Sequence, residues 1–164
     1  MARSFFLALF SSLSLWTSVL TIHPSQAAAF SSTFSGFQGA WSGSGDISLS
    51  DGSRERIRCK ATYRTSEGGT RLQQTLRCAG DSYRVDLNSD LTSVDGRVTG
   101  SWSESGRGVS GSIAGHEVGG SITAVADAPG FTANLSLSTR GNHQTFLLSS
   151  QGDIRSVSLT MVRR

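Results

Sequence analysis

The sequence is poor in most residues that carry catalysis or metal binding. Its 164 residues include only three histidines, two cysteines and two prolines, and 16% of them are charged. No nucleophile-elbow or other local motif surrounds any of its many serines. His116-Glu117 and His143 do not follow metal-ligand spacing. The residues therefore nominate no catalytic group, metal or cofactor. No segment shows a helical period, which argues against a bundle or an α/β fold. Two prolines are too few to mark a linker, and no charge block or shift in composition divides the chain after its start. One domain is expected. The net charge is +3, of which Arg3 near the start supplies one unit. Bulk electrostatics of that size does not choose a partner, so any case for polyanions rests on local clustering.

The first residues read as an address. Arg3 gives a basic start, Phe5 to Leu20 is an apolar run, and His23, Pro24 and Ser25 break it. Small residues follow at Ala27, Ala28 and Ala29. This is the pattern of a cleavable secretory signal over residues 1–29, cut after one of residues 27–29. A domain over 30–164 then lies in an oxidising place, periplasmic or secreted, where an isolated cysteine pair bonds.

Beyond the leader, low charge with abundant glycine and serine would suit disorder, but the apolar residues alternate regularly between turn signals. Residues 30–36 read as a loosely held entry. Strands follow near 38–50, 54–65, 71–79, 82–91, 97–104, 109–115, 120–126, 131–139, 144–150 and 154–162. Turn pairs such as Asp51-Gly52, Gly68-Gly69, Asp95-Gly96 and Gly141-Asn142 separate them. In the second strand Ile57, Cys59, Ala61 and Tyr63 share one side, and Arg56, Arg58, Lys60 and Thr62 the other. Later inward positions include Leu72, Leu76, Val85, Leu87, Val98, Trp102, Ile113, Leu135, Leu159 and Met161. One apolar and one wet face per strand suits an all-β antiparallel meander of about 8–10 strands closing into a barrel, with a sandwich as the alternative. Arg and Asp on the outer face argue against lipid contact there.

The register tests the disulfide. With the reversal centred on Gly68-Gly69, Cys59 falls directly opposite Cys78. A four-residue loop makes them a non-hydrogen-bonded pair, about 4.5 Å apart at Cα, which is within bonding reach.

Two resemblances follow from particular residues. Gly39-x-Trp41 resembles the opening of lipocalin-type barrels. That likeness implies a tryptophan packed across a closed barrel end beside a late arginine, here Arg163 or Arg164. The Gly-x-Trp opening, the two-cysteine hairpin and Gly100-Ser101-Trp102-Ser103-Glu104 are together similar to small exported β proteins of alphaproteobacteria. This second likeness implies export and assigns no site residue.

The outer face of the cysteine hairpin is basic: Arg56, Arg58, Lys60, Arg64, Arg71 and Arg77, extended by Arg84. Guanidinium groups at this spacing grip phosphates or carboxylates. The alternative is a solvated face whose charges discourage edge-to-edge pairing. No aromatic residues interleave on this face, which disfavours nucleic acid. Small inward residues (Ala61, Gly100, Gly111, Ala124 and Ala133) either leave an interior cavity or make room for the aromatics. The reading is an exported, non-enzymatic binding protein of the cell envelope, acting through the basic hairpin face or a barrel mouth. Its partner would be an anionic envelope polymer, such as lipopolysaccharide or an acidic polysaccharide, or an acidic protein. A structural or inhibitor domain is the second reading and a small-barrel enzyme the third.

Overall fold

A computed structural model describes residues 33–164, so the leader and its cleavage positions lie outside the described residues. A 3-10 turn (Ser35–Phe37) leads into ten strands: β1 (Gly39–Leu49), β2 (Arg54–Ser66), β3 (Arg71–Ala79), β4 (Arg84–Val94), β5 (Arg97–Glu104), β6 (Val109–Val118), β7 (Ser121–Ala128), β8 (Phe131–Arg140), β9 (His143–Ser150) and β10 (Ile154–Arg163). Each strand pairs with the next, and β1 pairs antiparallel with β10 to close a barrel. This is the barrel and not the sandwich, and closure leaves no free sheet edge to manage.

Alternation of side chains builds the wall. Along β2, Ile57, Cys59, Ala61 and Tyr63 are buried, while Arg56, Arg58, Lys60, Thr62 and Arg64 are exposed. The same period runs through β7, where Ile122, Ala124, Ala126 and Ala128 are buried. Inward side chains make one core. Each large apolar group fully removed from water contributes roughly 1.5–3 kcal/mol.

The two barrel ends differ. At one end Phe34, Phe37, Trp41 and Tyr63 are at most 1% exposed and form a plug. The rings of Phe34 and Phe37 meet edge to face at 6.1 Å, and the Phe34 amide donates to the Gly69 carbonyl at 2.9 Å. The expectation of a loosely held segment over 30–36 is thus corrected for its described part. Two phenylalanines three positions apart reach the same pocket through a tight turn, a period that strand alternation does not reveal. At the other end Leu49, Tyr83, Val85, Phe131 and Ile154 are only half-buried around the mouth.

Two strands end three residues later than the sequence suggested. β4 continues to Val94 because polar Ser93 points inward, and β6 continues to Val118 with Gly115 and Glu117 on its inner side. Neither carries the apolar signal on which an alternation reading depends. His116 accordingly lies within β6.

The seam between β1 and β10 needs glycine. A Cβ on Gly43 would collide with the Thr160 carbonyl oxygen and the Met161 Cα, both backbone atoms that cannot rotate away. Gly43→Ala is expected to lower stability by about 3 kcal/mol, the upper range for overpacking. Urea unfolding should show an earlier midpoint with an unchanged slope. An unmoved midpoint would mean that the seam relaxes freely.

Candidate functional site

The register places the basic residues in defined neighbourhoods. Cys59 lies opposite Cys78 with their Cα atoms 4.1 Å apart and their sulfurs bonded. The adjacent outward pairs are therefore Lys60 with Arg77 and Arg58 with Ala79. On the other side of β2, Ser42 faces Lys60 and Ser44 faces Arg58. These residues and Arg164 wall a groove of about 570 Å³ on the outer face, with Gly43, Cys59 and Cys78 as its floor. Four cations, Arg58, Lys60, Arg77 and Arg164, thus share one concavity.

Their charges are answered unevenly. Arg77 donates to Asp86 at 3.2 Å but remains 73% exposed. Arg164 is held by its Nε donating to the Ser42 hydroxyl and its amide donating to the Ala40 carbonyl. Lys60 stands directly across from Arg77, and like charges at such a position repel. An anion seated between them relieves that repulsion and gains charge-assisted hydrogen bonds.

The other nominated residues go elsewhere. Arg56 lies on the same outer face and donates to the Ser44 hydroxyl at 3.1 Å, beside the groove. Arg84 opens β4 opposite Ala79, at the groove's far edge. Arg71 donates to both carboxylate oxygens of Asp90, at 2.9 and 2.7 Å, and reaches Glu67 at 3.5 Å. Its hydrogen bond to Asp90 holds the guanidinium pKa up and that carboxyl below its usual range. The wall itself answers the charge of Arg71.

Arg64 belongs to a second groove, of about 620 Å³, walled mainly by uncharged polar side chains of β3 to β6. Its floor includes Gln74 and Ser89, which continue inward as a hydrogen-bonded chain. Ser89 donates to Gln74 at 3.0 Å, Gln74 donates to the Tyr63 hydroxyl at 3.3 Å, and Tyr63 donates to Gln144 at 3.0 Å. Gln144 in turn donates to Thr139 at 3.0 Å. Burial pushes the Tyr63 hydroxyl far above the usual phenol value, so it stays a donor.

Sequence reasoning missed Gln74, Gln144 and the groove role of Arg164. The two glutamines occupy inward positions of strands where only apolar residues were sought. For Arg164 the signal was present: alternation along β10 sends Met161 and Arg163 inward, and hence Arg164 outward. Arg163 lies over the Trp41 ring, 4.4 Å from its centre.

The mouth holds a smaller polar cluster. Glu104, 7% exposed, accepts from the backbone amides of Asp86, Gly106 and Arg107 at 3.0, 3.1 and 2.8 Å. Burial alone would raise its pKa, but those amides and the Arg107 charge outweigh it and hold the carboxyl below its usual range. This arrangement fixes the β5–β6 turn. Beside it, the buried Trp102 Nε1 finds no acceptor among the described residues. His116 and His143 stand on β6 and β9, separated by two intervening strands, and are not brought together. No helix of the described residues is long and apolar enough to cross a membrane.

A closed ten-stranded meander barrel with a plugged end and a basic outer groove is therefore the class this chain presents. No protein-family model matches the sequence, and no curated protein is detectably similar to it. Solved structures that share the fold include the following two. Rv2717c from M. tuberculosis aligns with a TM-score of 0.65 at 14% identity, covering 79% of this chain and 94% of that one. The S-type phycobiliprotein lyase CPES from Guillardia theta aligns at 0.54 with 12% identity, covering 80% and 90%. At such identities the likeness establishes the barrel and nothing of the chemistry.

Proposed function

We propose that this is an exported, non-enzymatic binding protein of the cell envelope whose outer groove on β1 to β3 takes an anionic ligand. The observation that carries the reading is Lys60 set directly across from Arg77, with Arg58 and Arg164 in the same concavity. The disulfide beneath them supports an oxidising compartment. Three of the four cations are arginines, whose planar forks suit carboxylate and phosphate. Arg56 and Arg64, outward on β2, supply a supporting field.

The test is titration of the folded domain with inorganic polyphosphate at low and moderate salt. The Lys60→Glu/Arg77→Glu double variant should bind at least tenfold more weakly, about 1.4 kcal/mol. The affinity of the parent protein should fall as salt rises. Equal affinity of parent and variant would defeat the reading.

A second reading rests on the unpartnered Trp102 Nε1 at the half-buried mouth. An apolar molecule bearing a hydrogen-bond acceptor suits that place. Mass spectrometry of protein isolated from its native envelope separates the two, because an anionic or an apolar ligand would be recovered accordingly.

A further inference from the structure

The two grooves on the outer wall adjoin. Lys60 pairs with Arg77, then Thr62 with Thr75, then Arg64 with Gln73, so only the threonine pair stands between the basic groove and its neighbour. Thr75 itself lines the second groove. From β1 to β6 the combined surface crosses five strand spacings, roughly 24 Å of arc.

The chemistry changes along that path. The second groove is walled by Gln73, Thr75, Asn88, Ser101, Ser103 and Ser110. Amides and hydroxyls both donate and accept, which is what a ligand bearing many hydroxyl groups requires. Asp90 in the same wall has its charge answered by Arg71 and keeps acceptor capacity for a hydroxyl donor. Other anionic partners fit less well. A protein interface needs aromatic or aliphatic anchors at its centre, and the only large apolar side chain along either groove is that of Trp102, which is 92% buried. An anionic lipid needs an apolar track for its chains, whereas a lone exposed valine, Val162 opposite Ser42 on β10, borders the basic groove. A bare polyanion would leave the neutral groove unused.

We infer that the two grooves form one site for an acidic polysaccharide, with sugar hydroxyls against the amide and hydroxyl wall and carboxylates on Arg58, Lys60, Arg77 and Arg164. This inference rests on the anion-binding reading and names its ligand class. The neutral wall supplies selectivity for sugars over other anions.

The experiment compares tetragalacturonate with inorganic tetraphosphate on the folded domain by calorimetric titration. Tetragalacturonate should bind at least tenfold more tightly, although it carries no more charge. In a Gln73→Ala/Asn88→Ala variant, the ratio of the two affinities should fall at least fivefold. Circular dichroism and thermal unfolding confirm that this surface variant remains folded. Tetraphosphate binding as tightly as the oligosaccharide, or an unchanged ratio in the variant, would overturn the polysaccharide assignment and leave the anion site standing. Failure of both ligands to bind at low salt would overturn the anion reading itself.

Discussion

Trp41→Ala should lower the unfolding free energy by about 3–5 kcal/mol, the range for removing a large buried aromatic. Trp41 is 1% exposed and joins three parts of the chain. Its Nε1 donates to the Phe37 carbonyl at 2.8 Å, tying the strand to the preceding turn. The guanidinium of Arg163 lies 4.4 Å above the ring centre and donates to the carbonyls of Gln38 and Gly36. Deleting the indole therefore opens a cavity, orphans a carbonyl and removes the surface on which Arg163 rests. Trp41→Phe keeps most of the packing and loses the hydrogen bond, so its cost should be about 1–2 kcal/mol. Chemical unfolding of both variants checks the ordering. Equal stability of Trp41→Ala and the parent would show that the plug contributes nothing to barrel closure.

The second large effect is covalent. Cys59 and Cys78 are separated by 19 positions, and closing a loop of that size constrains the unfolded chain by about 3 kcal/mol. A Cys59→Ala/Cys78→Ala variant should melt roughly 10 °C lower than the oxidised parent. Adding a thiol reductant should bring the parent most of the way to the variant and leave the variant itself unmoved. A parent protein whose melting ignores complete reduction would contradict this account.

Much of the barrel is legible in the sequence because alternation is a local signal. Ile57, Cys59, Ala61 and Tyr63 report their own side of β2 without reference to any other strand. Once Gly68-Gly69 marks the reversal, the opposition of Cys59 and Cys78 follows. Ser93, Gly115 and Glu117 were missed because polar or absent side chains on the inner side leave no apolar mark. Phe34 and Phe37 were missed because a plug belongs to no strand. The basic face is legible as a list, but its division is not. Whether an arginine faces a ligand or a neighbour depends on the residue opposite. Asp90, diagonal to Arg71, captures it, and Asp86 opposite Arg77 holds that one only in part, leaving it 73% exposed across from Lys60, while Arg58 meets Ala79. Such oppositions arise from pairing between strands, and no single stretch of chain displays them.

The union of β1 with β10 also fixes the order in which the molecule can be completed. Trp41 pairs with Arg163, and Gly43 with Met161, across almost the whole domain. Neighbouring hairpins assemble from nearby residues, but the ring cannot shut until the last strand has been synthesised and has travelled back to the first. Contacts of such sequence separation slow folding. A chain still being synthesised would thus remain open until β10 is complete. A product truncated before Ile154 would keep the two unsatisfied borders of β1 and β9, each able to recruit a strand from another copy.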